Sequence, residues 1–416
     1  MERYSSYKDS GVSWIGEIPE HWEVKQLRSF LTLFTEKGHG DAQLLSVTRE
    51  QGVIERDKED KEENHNFVPE DLSGYKYIEK GDFAINKMKA WQGSFAVSDY
   101  NGIVSPAYFT CKLKGVNKEF FSKAIRSKAY VPFFTQYSKG IRVGQWDLNP
   151  YALKSIPFFL PSPEEQAAIV NYIEEKTSKI DAYVADKEKE IELLQELKQK
   201  TIADAVTKGL NPDAKMKDSG ISWIGEIPEH WEVKKIGSLF VERREKVSDK
   251  EFPALSVSKQ GVTPQLDTAV KTDNGDNRKK VCKNDFVVNS RSDRKGSCGV
   301  SPCTGSVSLI NIVLSPRENI EVQYFHHLFR SNNYIEEYYR IGRGIVADLW
   351  TTRYSEMRNI FVPLPPKDEQ QSIVAYIEEK CEKIDKLASE LQSEIDYLKE
   401  YKQRLIADCV TGQVKV

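Results

Sequence analysis

Apolar positions recur at alternating intervals of three and four residues through two long stretches of the chain. The first stripe runs through Val170, Ile173, Thr177, Ile180, Val184, Lys187, Ile191, Leu194, Lys198, Thr201 and Ala205. The second runs through Val374, Ile377, Cys381, Ile384, Ala388, Leu391, Ile395, Leu398, Lys402, Leu405 and Cys409. Charged residues fill the other positions, which is the pattern of a coiled-coil seam. Ser162, Pro163 and Glu165 make a helix start: a capping serine, a proline at the first helical position and an S-x-x-E box. Pro366 stands in place of the serine at the second start, and Gly209 and Gly412 mark the stops. A helix of about 44 residues is roughly 65 Å long, and its stripe needs a partner. An ordinary bundle or a homodimeric coiled coil would supply one. Two such stripes in one chain point instead to antiparallel pairing with each other, which would set the segments between them at opposite ends of a rod. Lysines on the seam (Lys187, Lys198, Lys402) weaken tight homotypic packing and help set register.

The chain is also written twice. Asp9–Lys25 (DSGVSWIGEIPEHWEVK) returns as Asp218–Lys234, with only Val12 changed, to Ile221. Near the stripes, Glu165-Gln166 and Tyr172–Lys176 return as Glu369-Gln370 and Tyr376–Lys380. Ile202-Ala203-Asp204 returns as Ile406-Ala407-Asp408. The middles diverge, and only fragments align, such as Leu45-Ser46-Val47 with Leu255-Ser256-Val257. Two long copies with matching ends and unlike middles describe a shared frame carrying two different surfaces, not a solenoid. The duplicated strip holds His21 and His230 beside Trp22 and Trp231. An extended, Pro-containing strip of this kind is expected to dock on the frame, with its histidines packed or hydrogen-bonded rather than catalytic.

The middles, about 23–160 and 232–364, show short strand patterns such as Leu44–Val47, Phe83–Asn86 and Tyr108–Leu113, with counterparts at Phe286–Asn289 and Ser306–Val313. Helical stretches follow at Lys118–Tyr130 and Val322–Tyr339. The expected fold class is α+β: two mixed α/β domains separated by two long helices packed as an antiparallel coiled coil, with pseudo-two-fold repetition.

Two aligned loops carry candidate chemistry. The first (Ile85–Ser98) offers Asn86, Lys87, Lys89, Trp91 and Gln92. The second (Val288–Ser301) offers Asn289, Ser290, Arg291, Asp293, Arg294 and Lys295. Arg and Lys suit guanine edges and phosphates, while Asn and Gln suit adenine edges. A solvated hairpin would read alike at any single residue; the pairing of equivalent loops with unlike residues points to base reading. Lys139–Asp147 and Arg343–Thr351 form a further pair, with Arg142, Gln145 and Arg343 as candidates and Trp146 and Trp350 expected to pack inward. Arg278-Lys279-Lys280 is a local basic run that could hold phosphates, although a run of this kind more often makes a solvated face. Glu55–Glu63 reads as an exposed acidic loop.

Net charge is −3 with a pI near 6.2, so any positive surface for nucleic acid must be local. No apolar stretch approaches a membrane span, the N-terminus is polar, and six scattered cysteines read as reduced thiols. These features predict a cytoplasmic protein. Catalytic motifs are wanting: there is no phosphate loop, no H-E-x-x-H and no zinc-type cysteine pairing. Asn149-Pro150-Tyr151 only partly matches the N-P-P-Y of amino-methyltransferases. Pro212-Asp213 followed by Glu232-Val233-Lys234 matches a nuclease pattern by chance, since Glu23-Val24-Lys25 repeats without it.

Asp9–Lys25, the Ile85–Ser94 and Gly102–Tyr108 runs, the Asn289–Ser297 and Gly305–Ser308 runs and the two PxxEEQ/PxxDEQ helix starts together resemble type I restriction–modification specificity subunits over essentially the whole chain. The resemblance implies a target-recognition domain at 1–160, a spacer helix at 161–210, a second target-recognition domain at 211–364 and a second spacer helix at 365–416. It implies that each domain reads one half of an interrupted site in double-stranded DNA and that the helices set the gap. Two methyltransferase (M) subunits would bind the helices, and motor-nuclease (R) subunits would join for cleavage. S-adenosylmethionine, ATP and magnesium would belong to those partners, with no cofactor or catalytic centre in this chain. An enzyme in its own right, or a coiled-coil scaffold with no DNA role, are the other function classes.

Overall fold

The computed structural model describes residues 2–57, 69–140, 146–265, 275–317, 320–343 and 350–416, with backbone only at Ser292. Two long helices, Pro163–Lys208 and Lys367–Val410, accompany short antiparallel strands and helices in an α+β fold. The chain divides into two units: Met1–Lys187 with Ser393–Val416, and Glu188–Gln392. Each unit therefore holds one middle domain and a part of both long helices.

In the first unit an antiparallel sheet orders Leu31–Phe34, Tyr108–Leu113, Phe83–Asn86 and Phe95–Val97. Side chains alternate across a strand, and here both faces are covered. Phe83 and Ile85 enter a core with Phe120, Phe121 and Ala124 of helix Lys118–Ile125. Ala84 turns the other way, toward Leu45, Val47 and Val53 of the hairpin Leu45–Thr48/Gly52–Glu55. The second unit repeats this with Phe240–Glu242, Asn311–Pro316, Phe286–Asn289 and Cys298–Val300. Phe286 and Val288 meet helix Val322–Phe329, and Val287 meets the hairpin Leu255–Ser258/Gly261–Pro264. An arginine pins each hairpin turn. Arg126 Nη2 donates to Arg49 O and Glu50 O, and Arg330 donates to Cys298 O and Lys259 O.

The long helices pack antiparallel within each unit. In the first, Ile169, Val170 and Ile173 share a core with Leu405, Cys409 and Val410, while further along Lys402 Nζ reaches Asp181 (2.6 and 2.7 Å) and Tyr183 reaches Glu394 (2.9 Å). In the second, Ala205 and Val206 pack with Ile373 and Ile377, and Lys198 Nζ reaches Asp385 (2.6 and 2.7 Å). Two of the seam lysines thus bridge to the facing helix. Both aspartates are well exposed, so each pair contributes about 1 kcal/mol at most and marks register more than stability.

The duplicated sequences explain themselves as joints. Trp22 and Trp231 are fully buried. Trp22 Nε1 and His21 Nε2 bind Glu165 at 3.1 and 3.0 Å; Trp231 Nε1 and His230 Nε2 bind Glu369 at 3.0 and 2.8 Å. Tyr4 Oη adds a 2.5 Å bond to Glu165. Burial would raise the Glu165 carboxyl, but hydrogen bonds from Tyr4, Trp22 and His21 hold it below the usual carboxylate value. Ser162 Oγ does accept from Glu165 N (3.2 Å), so the cap forms while the Glu side chain serves the strip. The adjacent glutamines are buried too. Gln166 accepts from Asn117 N and donates to Pro161 O, and Gln370 does the same with Glu321 N and Pro365 O. Each long helix start is thereby tied to the residue that caps the domain helix. Gly412 (φ +72°) ends the second long helix against Pro19 and Trp22.

Candidate nucleic-acid interface

The two strand-turn segments expected to read bases do form equivalent structures: a strand, a short 3-10 turn and a return strand, at Phe83–Val97 and Phe286–Val300. Their side chains are disposed unequally.

In the first unit Asn86 Nδ2 donates to Tyr108 Oη (3.3 Å), and Lys87 Nζ lies 3.3 Å from Asp147. Lys89 and Gln92 are exposed. Trp91 is turned inward: its ring meets Trp146 (5.1 Å between centroids), and its Nε1 is buried without a partner among the described residues. Arg142 and Gln145 lie outside the described residues. Of the expected residues, Gln92 faces a cavity of about 830 Å³, together with Arg49, Gln51, Arg126, Lys128 and Lys402. Glu50 and Asp99 are the acids on that surface, so positive charge is gathered locally in a chain of net negative charge.

In the second unit Asn289, Arg291 and Arg294 share one groove of about 490 Å³. Asn289 Oδ1 accepts from Arg291 N at 3.2 Å, which orders the turn. Asp293 lies between the arginines, 2.9 Å from Arg291 Nε and 3.7 Å from Arg294 Nε. Both guanidiniums stay exposed and presentable. Ser290 is buried and donates to Ile310 O (2.6 Å), so it shapes the loop from within. Lys295 points away from the groove to Glu336 and the Tyr339 ring. Arg343 pairs through its backbone with Thr351 and lines a different cavity, with Trp223, Arg340 and Glu356.

The sequence reading missed the opposite wall. Ser256, Ser258, Lys259 and Gln265, from the hairpin that packs on Val287, line the second unit's groove. Arg49 and Gln51 of the equivalent hairpin line the first unit's cavity. A signal was present: Leu45-Ser46-Val47 and Leu255-Ser256-Val257 are among the few fragments that align across the divergent middles. Arg278 and Asn311 also line the second groove; Arg278 belongs to the basic run that the sequence offers for phosphates, whereas no sequence signal singles out Asn311.

Known proteins resemble the chain from end to end. A protein of Methanocaldococcus jannaschii described as a putative type I restriction enzyme MjaX specificity subunit is 24% identical, over 97% of this chain and 96% of the relative. A solved chain from work on complex assembly and conformational transition of the type I R-M system superimposes with a TM-score of 0.66 at 16% identity, covering 95% of this chain and 99% of that one. The HsdS subunit from Thermoanaerobacter tengcongensis superimposes with a TM-score of 0.50, also at 16% identity, covering 95% and 98%. At such identities these structures establish a shared fold, over 95% of the chain. No protein-family model matches.

Proposed function

We propose that this chain, which resembles type I specificity subunits along its full length, is the DNA-specificity subunit of a type I restriction–modification complex. Each unit reads one half of an interrupted site in double-stranded DNA. The long helices set the spacing and dock two methyltransferase subunits, and motor-nuclease subunits join for cleavage. S-adenosylmethionine, ATP and magnesium serve those partners; this chain contributes recognition and no catalytic group, acting in the cytoplasm where chromosomal DNA is exposed to it.

One observation carries the reading: the two units share a nearly identical frame yet carry unlike polar side chains on equivalent loops. The aligned strand-turn segments and hairpin turns present Arg49, Gln51, Lys89 and Gln92 in the first unit, and Ser258, Lys259, Arg291 and Arg294 in the second. Arginine, asparagine and glutamine are the side chains whose donor and acceptor geometry matches base edges. A pure scaffold would have no reason to keep the joints alike and the grooves unlike. Among the described residues no helix is long and apolar enough to cross a membrane.

The test is a footprint of the purified chain, alone and with its methyltransferase subunits. The expected result is protection of two short half-sites separated by an unread gap, with adenine methylation only when the partner is added. Methylation or cleavage by the chain alone would assign it an activity of its own. No protection in the complex would remove the DNA-reading role.

A further inference from the structure

Arg278-Lys279-Lys280 does not form a solvated face. The three lie on the strand Arg278–Val281, paired with Gly305–Val307. Lys279 Nζ donates to Asn311 O (2.7 Å), and Lys280 Nζ meets Glu245 (2.8 Å). Arg278 turns inward and is only 5% exposed. Its Nε donates to Ser306 Oγ (2.9 Å) and its Nη2 to Ser306 O (3.1 Å). Asp249 influences it from a distance, and among the described residues no carboxylate pairs with it. A guanidinium carries five N–H donors, and among the described residues Nη1 has no protein acceptor.

Asn311, also 5% exposed, sits on the same groove. Its Nδ2 donates to Ser308 O (3.2 Å) and Ser308 Oγ (3.0 Å). The Ser308 carbonyl can only accept, so the amide orientation is set. Asn311 Oδ1 is therefore the orphan: buried, with no donor among the described residues. Unpaired polar groups in a groove are costly, and here a cation with spare donors and an acceptor with none line the same groove.

We propose that Arg278 and Asn311 determine specificity for one G·C pair in the half-site read by the second unit. The guanidinium donates to guanine O6 and N7, and Asn311 Oδ1 accepts from cytosine N4. This rests on the DNA-reading role proposed above. A guanine edge offers two acceptors and its cytosine one donor in the major groove, which is the complement of this pair. A phosphate would satisfy the arginine but would set its oxygens against the Asn311 carbonyl oxygen.

The first unit supports the choice of position. Lys76 pairs with Val104 as Lys279 pairs with Val307, and Lys76 Nζ donates to Tyr108 O (2.6 Å) as Lys279 does to Asn311 O. Tyr75 and Tyr108 are thus the counterparts of Arg278 and Asn311. Equivalent sites in a matching frame hold two phenols in one unit and a guanidinium with a carboxamide in the other. That is the variation expected where two half-sites of different sequence are read.

The experiment maps methylated adenines genome-wide in a host expressing the full chain with its methyltransferase subunits. The variants are Arg278→Gln, Arg278→Lys and Asn311→Ala, and the salt dependence of DNA binding is measured on each purified complex. The expected result is a preference at one G·C position of one half-site relaxed about tenfold or more, with the other half unchanged. Arg278→Lys should lose that preference while keeping the salt slope, since it retains charge without the planar fork. Asn311→Ala removes the orphaned acceptor together with the Nδ2 bonds to Ser308, so Arg278→Lys, which keeps the charge, carries the test if Arg278→Gln does not fold. An unchanged recognition sequence overturns the proposal while leaving the DNA-reading role standing. Uniform weakening with a shallower salt slope overturns it in favour of a phosphate contact. A wild-type complex with no two-part site removes both.

Discussion

The strand beneath each helix start shows how the two units solve one problem differently. In the first unit Phe158 and Phe159 pair with Lys25 and Val24; in the second, Val362 and Pro363 pair with Lys234 and Val233. Phe159 N donates to the buried Tyr130 Oη (2.9 Å). Proline has no N–H, and the matching Tyr334 Oη is buried with no partner among the described residues. Volume, by contrast, is exchanged. Phe158 stacks on Phe121 in the first unit; in the second the smaller Val362 accompanies Tyr324 in place of Phe120, and Tyr324 Oη donates to Val206 O at 2.8 Å. Duplication preserved the shape of the core more strictly than its hydrogen bonds.

The largest break in the comparison lies at the helix stops. Gly412 (φ +72°) and Gly209 (φ +74°) both occupy left-handed backbone, but a Cβ on Gly412 would lie 2.3 Å from Pro19, whereas on Gly209 the nearest atoms are 3.1 Å away. Left-handed strain costs about 1–2 kcal/mol for an L-residue, and overpacking adds about 1–3 kcal/mol. Gly412→Ala should therefore destabilise by about 2–5 kcal/mol and Gly209→Ala by about half as much, read from denaturant unfolding. Equal losses would show that the two joints are not different in room.

The tyrosines give a smaller and sharper contrast. Tyr130→Phe strands the Phe159 N–H and should cost about 1–3 kcal/mol, while Tyr334→Phe removes an unsatisfied hydroxyl and should be neutral or stabilising. Thermal unfolding of the two single variants checks the sign at each site.

Acid should separate the units slightly at first. His326 and His327 stand in the second unit where the first has Ser122 and Lys123. Burial, with Arg330 nearby, pushes them down to about 3 and about 4. Unfolded, they take up protons near pH 6.5, so the neutral folded forms contribute stability that is full above that pH and lost as pH falls toward 4 and 3. At pH 6 the loss is below about 1 kcal/mol per histidine, and it grows on further acidification. Hydrogen exchange at pH 7.5, 6 and 5 should show amides of the second unit weakening first, and His326→Gln/His327→Gln should remove the difference. Equal weakening in both units would count against this account.

Much of this molecule can be read without coordinates. The seam from Val170 to Ala205 is one, because helix period and burial are local consequences of residue order. The doubled Asp9–Lys25 strip is another. The loops around Asn86 and Asn289 were also recognisable as a pair. Their directions were not: Trp91 is an aromatic in a polar turn by sequence, and only packing shows it turned against Trp146. Ser290 and Lys295 likewise look like groove residues until Ile310 and Glu336 are seen to hold them.

Residue order alone determined the repeated frame, its two long helices and the place where its copies diverge. Tertiary structure alone decided which divergent residues share a groove. Ser258 and Arg291 are brought together by strand pairing and by a hairpin folding over a sheet, contacts between distant segments that leave no local periodicity. Arg278 is the clearest case. By strand alternation it shares a face with Lys280, two residues on, so residue order gives both the same direction; only their cross-strand neighbours part them, Ser306 holding the Arg278 guanidinium in the groove and Glu245 holding Lys280.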